Sequence, residues 1–315
     1  MAKGQDVKFK TSIGGQALIE GIMMQGPEKR SIAVRSGDEI VVKTEDNTPV
    51  SKKLPILGLP FIRGCVTFMR SMIVGVKAIS YSASFMPEEE LGEPDKLDKW
   101  ISDHFSDEKA EKLIIGVSVV LGIAMSVGLF FMLPTIIAGF IAKYVESDLL
   151  KNFIECLIRM IIFIVYLKLV SGMKEIERMW MYHGAEHKTI FCYEKGLELT
   201  VENVRVQPRC HPRCGTSFLL IVMLVSILVQ FVFSGWQNVL MRMVMRLALL
   251  PLIVGISYEI LRIAGRYDNI LTRIISAPGK ALQRLTTAEP DDKIIEVAIA
   301  AMNEVIPENK GSDRW

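Results

Sequence analysis

No disulfide framework is available to this chain. Its 315 residues hold five cysteines, an odd number, spread over Cys65, Cys156, Cys192, Cys210 and Cys214. It also lacks a charge surplus of one sign. Lys and Arg number 37 against 35 Asp and Glu, for a formal net charge of +2. That balance excludes a general nucleic-acid binder, and no direct DNA binding is expected. The opening MAKGQDVKFK has no apolar core, so a cleaved signal peptide is not expected. No GxxxxGK[ST] phosphate loop occurs. Histidine is scarce: of four in the chain, three fall between residues 183 and 211.

What is abundant is apolar residues, 50% of the chain, gathered into runs. About 20 such residues cross the ~30 Å hydrocarbon layer. Leu113–Met132 is charge-free; Pro134 then kinks or extends it towards Ala142. Phe153–Ser171 contains Glu155 and Arg159, spaced to pair on a helix, and Lys168 near its end. Ser217–Phe233 is charge-free, and the last run, Leu247–Gly265, follows Arg242 and Arg246. The 172–216 connection carries seven Lys or Arg, and Arg266, Arg273, Lys280 and Arg284 follow the last run. The positive-inside rule therefore predicts that both termini and the 172–216 loop are cytoplasmic in a multi-pass protein of the bacterial inner membrane.

Residues 57–85 admit three readings. Arg63, Arg70 and Lys77 recur every seven residues among Phe, Ile, Val and Met, and no acidic residue occurs from Lys53 to Pro87. A basic amphipathic helix on the anionic inner leaflet of the bilayer accounts for this pattern. A fifth span and a core helix are the alternatives. Residues 14–53 read as β-rich, with a hairpin signal at Ser36-Gly37-Asp38 between Ser31–Arg35 and Glu39–Lys43. Residues 88–112 form an acidic linker. Near the C-terminus, Glu289-Pro290-Asp291-Asp292 opens a helix with the apolar stripe Ile294, Ile295, Ala298, Ile299, Met302 and Val305. The expected fold is thus mainly α and polytopic. It has a β-rich unit over 1–56, an interfacial helix and linker over 57–112, and four transmembrane helices over 113–265. A helical tail over 266–315 completes a small cytoplasmic α+β layer.

The residues suited to chemistry cluster in the 172–216 loop. In His183-Gly-Ala-Glu186-His187, two imidazoles one helical turn apart face the same way and can share a metal, with Glu186 beside them. The order H-x-x-E-H is that of inverted zinc proteases. Cys210-His-Pro-Arg-Cys214 lies later in the loop, and Glu259 sits in the last apolar run. Two sites are compatible with this set. In the catalytic one, His183, His187 and a third ligand, Glu259 or a cysteine, hold zinc while Glu186 is the general base. In the structural one, His183, His187, Cys210 and Cys214 close the shell. Glu259 has a plainer reading, an ion pair with Arg262. Cys65, Cys156 and Cys192 read as packing residues.

GGQALIEGIMMQGP, HGAEHKTI, HPRCGTSFL and GISYEILR, taken in order, resemble the YqhQ-like family of bacterial membrane proteins. The resemblance covers nearly the whole chain. It implies a membrane location without a known substrate; the family's label of predicted metal dependence rests on the same His and Glu motif. The expected function is a membrane-embedded zinc-dependent hydrolase at the cytoplasmic face. The alternative is a membrane adaptor whose basic cytoplasmic surface docks a ribosome, a translocon or a transporter.

Overall fold

A computed structural model describes residues 7–48, 54–86, 107–232, 239–267, 269–309 and 311–314. The expected acidic linker falls largely outside these residues. Four strands come first: β1 (Gly14–Leu18), β2 (Gly21–Gln25), β3 (Lys29–Ser36) and β4 (Glu39–Asp46). The helices are α1 (Ile62–Ala83), α2 (Asp107–Val127), α3 (Leu133–Ile141), α4 (Asp148–Val170) and α5 (Lys174–Glu194). There follow α6 (Val201–Arg205), α7 (Gly215–Val232), α8 (Val239–Arg266), α9 (Ile270–Thr286) and α10 (Asp292–Val305). The chain is therefore mainly helical with one small antiparallel sheet.

The strands form a meander in the order β1-β2-β3-β4. The expected hairpin is present: Ser36 pairs with Glu39, and Gly37 takes φ 61° in the turn, a conformation glycine enters without steric cost. The acidic opening of α10 is also present, with the Asp291 carboxylate accepting from Ile294 N–H at 2.8 Å. The stripe of α10 packs on the sheet. Ile294, Ala298, Met302 and Val305 join Ile22, Met24 and Ala33 in one core with Tyr182 and Ala185 of α5. Burying this face is what holds a short four-stranded sheet in place, since each layer hides the other's apolar side.

The chain divides into two compact units that do not follow chain order. One comprises Met1–Phe85, Leu167–Ser226 and Leu249–Trp315 and contains the sheet, α5 and α10. The other comprises Met86–Tyr166 and Ile227–Ala248. In the second unit, the five residues Gly128–Met132 between α2 and α3 form a π turn. Pro134 has no N–H to donate and its ring crowds the carbonyl four residues back, which widens the helix just before it. Glu155 and Arg159 of α4 pair at 3.5 Å, as their spacing predicts, and Thr135 Oγ1 donates to Glu155 at 2.7 Å.

Two helical stretches among the described residues are long and apolar enough to cross a membrane, Leu113–Ile141 and Leu247–Arg266; Gly215–Val229 is a shorter apolar stretch. In helix α1 the three basic residues do not form one outward stripe. Arg63 and Arg70 turn inward: Arg63 Nε donates to Glu259 at 2.7 Å and Arg70 to Asn47 Oδ1 at 2.9 Å. Lys77 is exposed. Beside it Met69, Met72 and Ile73 are exposed, together with Thr67 and Ser71. The guanidinium groups are held by internal acceptors, and the aliphatic side chains are left outside.

Candidate metal centre

The helix α5 carries the HGAEH motif, and one turn of spacing brings the two imidazoles to 4.4 Å between ring centroids. Each ring is fixed from behind by a main-chain carbonyl. His183 Nδ1–H donates to Thr286 O at 2.7 Å, and His187 Nδ1–H donates to Arg209 O at 2.6 Å. A carbonyl can only accept, so both Nδ1 atoms carry hydrogen, and each ring, when neutral, presents an Nε2 lone pair. This is how ligating histidines are oriented by their surroundings. The His183 Nε2 lies 3.1 Å from the Cys214 sulfur. His187 Nε2 is buried with no hydrogen-bond partner among the described residues, an otherwise costly condition. One donor atom from each of His183, His187 and Cys214 lies within 4.8 Å of the others, and all three residues are buried.

Cys214 immediately precedes α7, where helix N-terminal N–H groups favour a thiolate. Thr216 N–H points at its sulfur from 3.4 Å. Burial alone would raise the Cys214 thiol, but the charges of His183 and His187 hold it well below the ordinary thiol value. Burial likewise acts to lower His183, and the Cys214 sulfur overrides it, carrying the imidazole up to about 9. The site thus favours a thiolate beside a cationic imidazole. A divalent cation offers the same compensation.

Glu186 is buried on the same helix, and its carboxylate accepts from Gly15 N–H of β1 at 3.0 Å. Burial pushes its carboxyl above the ordinary value. Gly15 belongs to the first resemblance motif, and its hydrogen bond to Glu186 links that motif to the second. A Cβ there would stand 2.7 Å from Met23 O and 3.0 Å from Glu186 Cδ. The role of Gly15 is not legible from spacing.

Of the residues singled out in sequence, His183, Glu186, His187 and Cys214 come together. Cys210 is half-buried in the loop and is not part of the cluster. Glu259 is not part of it either: its carboxylate is held by Arg63 of α1, a partner far away in sequence, where Arg262 was the expected one. A second buried polar group lies beside the cluster and was missed in sequence. Glu194 accepts from Thr11 N–H at 2.8 Å and pairs with Arg213, and His211 Nε2 stands 3.5 Å from it. His211 is anchored through its backbone by Gln283, whose side chain accepts at 2.7 Å and donates at 2.8 Å. Its imidazole is lowered to about 4, chiefly by burial.

Residues 59–308 match the model of a family described as protein of unknown function (DUF1385). The chain is also 31% identical over 303 residues to the uncharacterized protein YqhQ of Bacillus subtilis (strain 168), covering 95% of this chain and 93% of that one. No solved structure matches. With a family-model match over most of its length and 31% identity to that relative, the chain belongs to the YqhQ-like family of proteins of unknown function.

Proposed function

We propose that this protein is a multi-pass membrane protein with a metal-dependent hydrolytic site, most simply a zinc site. The observation that carries the reading is the ligand set. His183, His187 and Cys214 supply three donors, and their count matches catalytic zinc sites, which keep a position for water, where structural sites have four protein ligands. The two carbonyl-anchored imidazoles and the partnerless His187 Nε2 fit a cation. A bound zinc ion would lower the pKa of its water and polarise a scissile carbonyl or phosphoryl group. Glu186, one residue from a ligand, would take the proton from that water, while Gly15 N–H orients the carboxylate. The carbonyls of Thr286 and Arg209 keep the ligand rings in one tautomer throughout.

The membrane arrangement draws support from parity. Thr11 bonds both Glu194, through its N–H at 2.8 Å, and Asp313, through Oγ1 at 2.5 Å. Residues 11, 194 and 313 therefore share one side of any bilayer, and each interval between them must contain an even number of crossings. Leu113–Ile141 lies in the first interval and Leu247–Arg266 in the second. A second crossing is then needed in each: the shorter apolar stretch in α7 serves the second interval, and of α1 and α4 in the first we assign it to the more apolar α4. This reading has four spans and leaves α1 uncrossed. The Lys and Arg bias makes the shared side the cytoplasm.

The test is metal content and spectroscopy of purified full-length protein. Cobalt added to metal-free protein should give a thiolate charge-transfer band that Cys214→Ser abolishes and Cys210→Ser keeps. Glu186→Gln should retain metal and lose hydrolysis of activated ester or phosphoester probes. Loss of metal in Cys210→Ser as well would favour a closed structural site in an adaptor. No stoichiometric metal in wild type would end the reading.

A further inference from the structure

The helix α9 is built inside out. A helix on the surface of a soluble protein buries its apolar stripe and exposes its polar one. Here Thr272, Ser276, Gly279, Leu282, Gln283 and Thr286 are buried. Outside lie Ile270, Leu271 and Ile274, exposed by 79%, 65% and 62%. At 100° per residue, Ile270, Ile274, Ala277, Ala281 and Leu285 fall in one stripe, and Arg273, Lys280 and Arg284 flank it on one side. All three cations are exposed, and no acidic residue occurs between Asn269 and Ala288.

We infer that α9 docks on anionic phospholipid headgroups, with its aliphatic stripe at the acyl boundary and its basic flank among the phosphates. Three aliphatic side chains standing free in water would be an unexplained apolar patch, and the adjoining cations select a negative surface. Chain continuity points to the same place. The apolar stretch Leu247–Arg266 ends three residues before the Asn269 cap of α9, so the helix begins where that stretch would leave the hydrocarbon. The opposite face of α9 makes contacts that matter to the metal centre. Thr286 O fixes the His183 ring, and Gln283 holds the His211 backbone and, at 2.9 Å, Ser217 Oγ at the start of α7. One helix therefore joins the headgroup layer to the His183 ring and to the start of α7, which Cys214 precedes. Arg63 and Arg70 of α1 are engaged internally, whereas Lys280 and Arg284 of α9 are exposed beside its aliphatic stripe.

The inference rests on the membrane reading above and is independent of the metal. Full-length protein is placed in nanodiscs of phosphatidylcholine with or without phosphatidylglycerol. Emission of Ile274→Trp, less that of wild type, should be quenched by phospholipids brominated near the headgroup end of the chain and only weakly by aqueous iodide. Lys280→Gln with Arg284→Gln should reduce the preference for spin-labelled phosphatidylglycerol over phosphatidylcholine, by about fivefold per charge removed. Quenching by iodide with none by bromolipid would overturn the docking. So would shielding from both in discs holding two chains, which would assign the stripe to a second copy. An unchanged lipid preference would overturn the headgroup assignment. Failure of the chain to enter discs at all would remove the membrane reading itself.

Discussion

Glycine 15 is the smallest residue on which the candidate site depends. Its N–H holds the Glu186 carboxylate, and a methyl group at its Cβ position would press on both Met23 O and Glu186. Gly15→Ala should therefore cost about 1–3 kcal/mol through overpacking, read as a lower thermal midpoint, and should impair hydrolysis more than metal content. Glu194 gives a second residue-scale expectation. Burial would raise its carboxyl, but His211 through a hydrogen bond and Arg213 through its charge bring it below the ordinary value. A carboxyl lowered on folding contributes stability above its unfolded value of about 4.5, lost as pH falls through the folded one. The thermal midpoint should thus fall on acidification below that range. Glu194→Gln should flatten this limb and cost about 3 kcal/mol at neutral pH, the usual loss on breaking a buried ion pair.

Among the elements, α1 and α8 meet at a glycine crossing. A Cβ on Gly64 would stand 2.7 Å from Tyr258 Cβ, and one on Gly255 would stand 2.8 Å from Phe61 O. Small residues let two helices approach closely at a crossing. The pair Arg63–Glu259 lies beside this crossing. Gly255→Leu should separate α1 from α8 and lower the thermal midpoint in detergent. Glu259→Gln should weaken the same contact while leaving metal content at the wild-type level, because its carboxylate serves Arg63; metal loss in this variant would return Glu259 to the ligand set. The helix α5 is constrained in the same way, since any side chain at Gly184 would collide with Ala288 O.

For the molecule as a whole, the meeting of Thr11 with Glu194 and Asp313 is the strongest constraint on topology. Cysteine-accessibility mapping should find positions 8, 198 and 308 on the same, cytoplasmic side. Labelling any one of them from outside the cell would break the parity argument and the four-span count together.

The sequence by itself determined the elements whose causes are local. The 3.6-residue stripe of Ile294 to Val305, the turn at Gly37-Asp38, and the i, i+4 placement of His183 and His187 each depend on neighbours within a few residues, and each is present. Family membership was legible for the same reason, because short motifs survive as strings. Partner choice was not, since it depends on what the fold brings close. Only the tertiary structure put Cys214 rather than Cys210 against the imidazoles, gave Glu259 to Arg63 rather than to Arg262, and turned Arg63 and Arg70 of α1 inward. Spacing along a helix fixes which side chains share a face, but the element opposite that face is fixed by packing across some 30 to 250 residues of chain, about which local periodicity carries no information.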